Sequence, residues 1–149
     1  VGAAGEATRS LYRGRKAAGR RGTCGHELDG GRGGRGAGNG LLCLRREDPV
    51  FSAQRADCIH GAVVASEALL LRYLGEGGDD RLLLVNLGRD LEWRPLAEPL
   101  AAPPLGTQWR LLWSSDDPRY GGLGTPQLDP RSWHIQGHSA IVLAAHRDN

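Results

Sequence analysis

The chain has 149 residues, too few to hold both a (β/α)8 barrel of about 250 residues and a separate β-domain. Its formal net charge of +2 favours neither a nucleic-acid partner nor a membrane surface. No stretch approaches the ~18 apolar residues of a transmembrane helix and no apolar core suits a signal peptide, so we predict a cytoplasmic protein without membrane contact.

The first 40 residues differ in composition from the rest. They hold thirteen of the 23 glycines and eight basic residues against three acidic ones, a net charge of about +5 that leaves about −3 for residues 41–149. Their only clustered apolar residues are Leu11 and Tyr12, which cannot offset the entropy of ordering the backbone. We therefore predict a disordered Gly/Arg-rich segment over residues 1–40 and a folded domain over residues 41–149.

This basic head has three alternative interpretations. Residues 31–36 fit the spacing G-x-G-x-x-G, but a dinucleotide site needs a strand before the loop and a helix after it, so we expect no cofactor. The same residues resemble an Arg-Gly-Gly segment, which makes a small RNA-binding protein the alternative function, although Tyr12 is the only aromatic residue in the head.

The interpretation that we favour is an out-of-frame reading of GC-rich DNA that ends near Leu41. Composition supports it, because one lysine stands against 18 arginines and glycine is abundant. The chain starts at Val1 and has no methionine, so we expect the true start to lie upstream.

A short helix is predicted to open the folded domain. Residues 41–44 (LLCL) are followed by residues 45–48 (RRED), which indicates the last turns of a helix with basic residues near its C-terminal end. The helix should end at Asp48, because the residue before Pro49 disfavours the α region.

The three cysteines, Cys24, Cys43 and Cys58, are odd in number and widely spaced. That arrangement fits neither a disulfide framework nor a paired zinc site. We predict reduced thiols, with Cys43 and Cys58 packed as small hydrophobic residues.

Five apolar runs of strand length follow, each bounded by turn-forming residues. They cover residues 59–65, 68–74, 81–87, 108–114 and 139–145. Between the third and fourth, residues 91–106 contain four prolines, which predict an edge strand followed by an extended surface connection, because proline removes a ladder donor. The fold class predicted is therefore all-β, an antiparallel β-sandwich.

Asp116 and Asp117 are the candidate carboxyl pair for glycoside hydrolysis, which places two carboxyl groups on opposite sides of the scissile bond. Neighbouring residues cannot straddle a bond easily, since they point to opposite faces of a strand. Before Pro118 we expect them to set a turn in which Asp116 accepts local backbone N–H groups.

Two histidine arrangements resemble catalytic or metal sites. His134 and His138 have the i, i+4 spacing of a helical metal site, but a glycine interrupts them and no third ligand follows, so no metal is expected. His60 and Asp57 lie near Ser66 in sequence, yet no nucleophile elbow surrounds that serine.

Six aromatic residues could stack on sugar rings, or pack in the core: Trp93, Trp109, Trp113, Trp133, Tyr73 and Tyr120. Trp109 and Trp113 are an even number apart and would share a face with Leu111, which favours a buried stripe. Core packing is the interpretation favoured for each, and an oligosaccharide contact stays open. The sequence predicts no catalytic, cofactor-binding or metal-binding residue.

Residues 111–126 (LLWSSDDPRYGGLGTP), followed by residues 133–135 (WHI) and 137–143 (GHSAIVL), resemble the C-terminal end of malto-oligosyltrehalose trehalohydrolases, which are α-amylase-like glycoside hydrolases. Residues 44–51 (LRREDPVF) look like the end of the last barrel helix of such enzymes. The resemblance covers about residues 41–145 and implies a C-terminal β-domain that packs against a (β/α)8 barrel.

The resemblance also implies the activity of the parent enzyme. Members of the family hydrolyse the α-1,4 bond next to the trehalose end of maltooligosyl trehalose, a step of trehalose biosynthesis. No barrel motif occurs in these 149 residues, so no catalytic residue is carried over to this chain. We expect a truncated or frameshifted, inactive fragment whose partner is the catalytic barrel.

Overall fold

The structure is a computed structural model that describes residues 34–124, 128–129 and 131–147. Two helices come first, α1 (Gly34–Glu47) and the single turn α2 (Pro49–Ser52). The described residues then form eight strands: β1 (Ile59–Ala65), β2 (Ala68–Tyr73), β3 (Arg81–Asn86), β4 (Leu91–Trp93), β5 (Gln108–Ser114), β6 (Leu128–Asp129), β7 (Ser132–Ile135) and β8 (Ser139–His146).

The strands form two antiparallel sheets. Sheet I has the order β1-β2-β3-β8-β5, and sheet II has the order β4-β7-β6. The predicted all-β antiparallel sandwich is thus confirmed. All five predicted runs are strands of sheet I, within one residue of their predicted ends, and β4 is an edge strand as expected.

The core lies between sheet II and one face of sheet I, which we call the inner face. Alternate residues of sheet I point into it because successive side chains of a strand point to opposite faces. The largest core side chains of sheet I are Leu70, Leu82, Leu84, Ile141 and Leu143. Sheet II contributes Trp93 and Trp133, whose rings pack edge to face with centroids 5.3 Å apart.

Residues 94–107, which we call the connector, run from sheet II back to sheet I. The prediction of an extended surface connection is wrong in part, since two 3-10 turns (Pro95–Ala97 and Pro99–Ala101) bring Ala101 into the core. The connector lies against the sheet because its carbonyls accept hydrogen bonds from it. Arg72 Nη1 donates to Leu100 O (3.2 Å) and Ala102 O (2.7 Å). Trp109 Nε1 donates to Ala101 O at 2.7 Å.

The helix α1 begins earlier than predicted, at Gly34, inside the segment expected to be disordered. Glycine disfavours a helix interior by about 1 kcal/mol relative to alanine, so propensity alone predicts no helix there. Packing accounts for the glycine at position 40, because a Cβ there would overlap the Tyr120 hydroxyl and lie 2.9 Å from Trp113 Nε1. The prediction for residues 1–33 lies outside the described residues, and the division at residue 40 stays a prediction.

The cysteine prediction is wrong at one position. Cys43 is disulfide-bonded, whereas Cys58 is a free, half-buried thiol. Cys24 lies outside the described residues. The odd number and wide spacing of the cysteines exclude a framework of several disulfide bridges, but they do not exclude a single disulfide.

The predicted stripe of Trp109, Leu111 and Trp113 is broken. Leu111 pairs with Leu143 and Trp113 with Val142, so Leu112 is an extra residue that forms a bulge. Each such slip moves the following side chains to the opposite face of the sheet. Trp109 and Leu111 therefore pack on the core, while Trp113 lies on the other side of sheet I.

Candidate docking surface

The outer face of sheet I, opposite the core, is only partly covered. The strand register places apolar rows across it, with Gly61, Leu71, Leu83 and Val142 in one and Val63, Leu69, Val85 and Ala140 in the next. Val142 is fully buried, but Leu71, Leu83 and Val85 are half-buried and Val63 is 79% exposed. This sheet face is therefore continuously apolar and incompletely shielded.

Helices α1 and α2, which we call the helix layer, cover one end of that face. Phe51 of α2 packs edge to face on Tyr73, with ring centroids 4.7 Å apart. A cavity of about 390 Å³ remains between the layer and the sheet. Leu42 of α1 is 49% exposed, so the helix layer itself presents apolar surface.

Asp48 attaches the helix layer to the sheet. One carboxylate oxygen accepts the backbone N–H groups of Val50 (2.9 Å) and Phe51 (3.2 Å) and so caps α2. The other accepts Arg81 Nε at 2.8 Å, and both side chains of this ion pair are only 8% exposed. The ion pair with Arg81 of β3 thus fixes the orientation of the helix layer on the sheet.

Arg81 is charged in this environment for a definable reason. Burial by itself would lower the pKa of Arg81, but the hydrogen bonds and negative charges of Asp79 and Asp48 outweigh burial and raise that pKa. Sequence reasoning missed this pair. The signals were an Asp-Pro step, which is typical of an N-cap followed by proline at N1, and a charged residue at the start of an apolar strand.

Asp116 and Asp117 shape a loop, as predicted. Asp117 caps the 3-10 turn Pro118–Tyr120, while Asp116 accepts the Leu123 N–H at 3.2 Å. The hydrogen bonds and charge of Arg119 hold the pKa of Asp117 below its ordinary value, whereas a glycosidase general acid needs a raised pKa. The loop packs against α1 and presents Leu123, which is 94% exposed.

The histidine arrangements do not form sites in the described part of the chain. His134 Nδ1 contacts Glu92 at 2.8 Å on the surface of sheet II, and His138 lies in the following turn at a φ of 54°. No group of three metal-ligating side chains occurs among the described residues. Asp57 and Ser66 lie at opposite ends of β1, which separates them by about 20 Å and excludes a triad with His60.

The tryptophans are packing residues in large part. Trp93, Trp113 and Trp133 are each less than a tenth exposed, and Trp109 is half-buried with the Arg72 guanidinium 5.7 Å from its ring centre. Residues 31–33 of the glycine motif lie outside the described residues, and the rest of it begins α1. None of the helices in the described ranges has the length and hydropathy to cross a bilayer.

A protein-family model described as "Domain of unknown function (DUF3459)" matches residues 58–142, from the turn before β1 to the middle of β8. This domain is typical of the C-terminal end of α-amylase-family glycoside hydrolases, where it packs with the catalytic domain. A search of curated proteins finds no match to the chain. The match contains most of the sandwich and leaves the helix layer before it.

Proposed function

The chain belongs to the DUF3459 family, and from this premise we propose that it supplies the non-catalytic C-terminal β-domain of a malto-oligosyltrehalose trehalohydrolase-like enzyme. The chemistry of such an enzyme, hydrolysis of maltooligosyl trehalose with release of trehalose, belongs to its (β/α)8 barrel. The assignment to trehalohydrolases rests on the resemblance of residues 111–126, and the coarser assignment to amylase-like enzymes on the family.

The observation that carries the proposal is the helix layer and its attachment. A chain that leaves a barrel through its last helix must enter the β-domain at a fixed angle if the two are to pack. Asp48 meets this need, because one of its carboxylate oxygens caps α2 and the other pairs with Arg81 of β3. The helix layer therefore acts as a rigid joint between the barrel and the sandwich.

The surface around the joint has the chemistry of a domain interface. Leu42 on α1, Leu112 on the β5 bulge and Leu123 on the 116–124 loop are all exposed and apolar. Interfaces between domains of one chain bury about 600–1,500 Å² and are more polar than obligate interfaces. Scattered leucines beside polar loops match that class of interface.

The test is association with a separately expressed barrel. We would mix this chain with the barrel of a trehalohydrolase that ends at its last helix, and measure binding by calorimetry. Binding should show a negative heat-capacity change, because apolar surface is buried. Leu42→Asp should weaken it at least tenfold, since a charge would enter the interface.

Leu105→Asp is the matched control. Leu105 is fully exposed but lies on the connector, which Arg72 holds on the inner-face side of sheet I, so this variant should bind normally. A barrel from another amylase-like enzyme should bind more weakly if the trehalohydrolase assignment is right. Equal binding of both barrels would leave only the coarser assignment, and no binding to either would refute the domain role.

A further inference from the structure

Among the strands that the structure describes, β1 is an edge of sheet I, paired on one side only, and it lacks the usual protection. Edge strands of natural proteins carry charged residues, prolines or strong twists that prevent pairing with other chains. The sequence of β1, IHGAVVA, has no charged residue and no proline, and its bulge comes only at Val64. The opposite edge, β5, has the exposed Arg110 and a bulge within the strand.

The pairing with β2 defines which backbone groups of β1 point outward. The Leu74 N–H donates to Cys58 O at 2.8 Å, and bonded and non-bonded pairs alternate along an antiparallel ladder. Residues 60 and 62 therefore bond to β2, whereas residues 59, 61 and 63 turn their N–H and C=O groups to the free edge. The Ile59 N–H is already bonded, to Ala56 O.

We propose that this edge pairs with β1 of a second copy of the chain, antiparallel and centred on Gly61. In this register Gly61 lies opposite Gly61 of the partner copy, and each Ile59 lies opposite Val63. Four new backbone bonds result, from the Gly61 and Val63 N–H groups of each copy to the carbonyls of Gly61 and Ile59 in the other. Sheet I then becomes one ten-stranded sheet across a two-fold axis.

The edge favours a second copy over an unrelated partner because it is self-complementary. Ile59 (37% exposed) and Val63 (79% exposed) point to the same, outer face, so the pairing covers each with the other. No like charges oppose each other in this register. An isologous contact of this kind also closes at the dimer, rather than continuing into a fibre.

The dimer should be weak. Five residues on each side bury less than the roughly 1,200 Å² of a standard stable interface, so we expect dissociation at about 0.1–1 mM. The inference goes beyond the proposed function, because it depends on the backbone edge of β1 and not on Leu42, Leu112 and Leu123, which are assigned to the barrel interface.

Sedimentation equilibrium of the full chain over 10 µM to 2 mM, about the range set by that affinity, tests the proposal. We expect a monomer–dimer equilibrium that Val63→Lys shifts at least tenfold toward monomer and that Val63→Ile leaves in place. Leu105→Lys, which removes a fully exposed leucine elsewhere, should leave the equilibrium unchanged. A chain that stays monomeric throughout, or association that Leu105→Lys abolishes equally, overturns the proposal.

A second measurement does not depend on variants. NMR hydrogen exchange should show that the Gly61 and Val63 amides become protected as the concentration rises, because only these amides gain partners in the dimer. The His60 and Ala62 amides, already bonded to β2, should change little. Concentration-dependent protection elsewhere, without any at Gly61 and Val63, would exclude this edge as the contact.

Discussion

At the scale of single residues, the stability of this domain depends on a few buried charges that each serve two elements. Asp48 caps α2 and pairs with β3, and Arg72 bonds Asp80 while it holds two connector carbonyls. Removing one partner of such a buried pair costs more than the pair itself contributes, since the other charge stays buried. These residues should therefore be the most sensitive polar positions.

Asp48→Ala tests the first of them. The variant loses the α2 cap and leaves Arg81 with the more exposed Asp79, so we expect unfolding free energy to fall by about 2–3 kcal/mol. Asp48→Asn keeps an oxygen for the cap and should cost less. Urea unfolding measures both, with Asp57→Ala of the exposed Arg55–Asp57 pair as control at about 0.5 kcal/mol or less. Equal losses of unfolding free energy at positions 48 and 57 would contradict the role of Asp48 as the attachment of the helix layer.

The carboxyl of Asp117 gives a prediction about pH. Hydrogen bonds from Arg119 lower its folded-state pKa, so the contact stabilises the fold above the unfolded-state pKa and is lost as pH falls through the folded value. Arg119→Ala should raise the pKa of Asp117 toward its ordinary value. The pKa should not reach that value, because the backbone N–H at position 119 still donates to the carboxyl. Carbon-13 NMR titration of the carboxyl measures this, and an unchanged pKa would refute the cause.

At the scale of elements, the strands of sheet I were predictable because their apolar runs have strand length and clear turn signals. Strands β6 and β7 were not predictable, because strands of two and four residues are too short to show a periodic pattern. The β5 bulge was equally hidden, because one extra residue leaves no mark in composition while it moves Trp113 to the other face. Glycines at the start of α1 disfavour a helix, and the close approach of Gly40 to Trp113 and Tyr120 is a tertiary contact that no local pattern signals.

The candidate docking surface was predictable only in outline. The LRREDPVF resemblance placed a helix before the sandwich, but the ion pair that orients it joins Asp48 to Arg81, 33 residues apart. Contacts over such separations depend on strand register, which sequence patterns specify poorly. The Arg72 clamp on the connector is similarly non-local, since the carbonyls that it holds carry no side-chain signal.

Arg72→Met tests the connector clamp as an element. The side chain keeps much of its apolar contact, but Asp80, whose side chain is 5% exposed, loses its charge partner, so we expect a loss of about 3 kcal/mol. Residues 94–107 should also become the first site of limited proteolysis, because the bonds from Arg72 to the carbonyls of Leu100 and Ala102 are gone and the bond from Trp109 Nε1 to Ala101 O is left to hold the connector. Arg72→Lys should restore part of the stability only. A connector that stays resistant in both variants would contradict the clamp.

At the scale of the whole molecule, the sandwich and helix layer form a domain without an assembled catalytic pair among the described residues. Asp116 and Asp117 are tied into one loop and do not face each other across a cleft. We therefore expect the purified chain to release neither trehalose nor reducing sugar from maltooligosyl trehalose. Turnover that persists in an Asp116→Asn, Asp117→Asn double variant would indicate a contaminant, and turnover lost in it would contradict the non-catalytic role.

The last prediction separates the C-terminal domain role from the RNA-binding alternative by charge. Residues 1–33 carry seven basic and three acidic residues, a net of +4 that leaves −2 on residues 34–149, by subtraction from the total of +2. Truncation before Gly34 removes these charges and keeps every residue of α1.

The truncated chain should bind no RNA at any salt concentration, and it should bind the barrel as the full chain does. Barrel binding through apolar surface should weaken little between 50 and 500 mM salt, a range over which the Debye length falls about threefold. RNA binding through arginine–phosphate contacts would instead fall steeply, with a slope set by the number of phosphates neutralised. Titrating both chains against RNA and barrel distinguishes the two. Salt-sensitive RNA binding that needs residues 1–33, without any barrel association, would replace the domain role by the RNA-binding alternative.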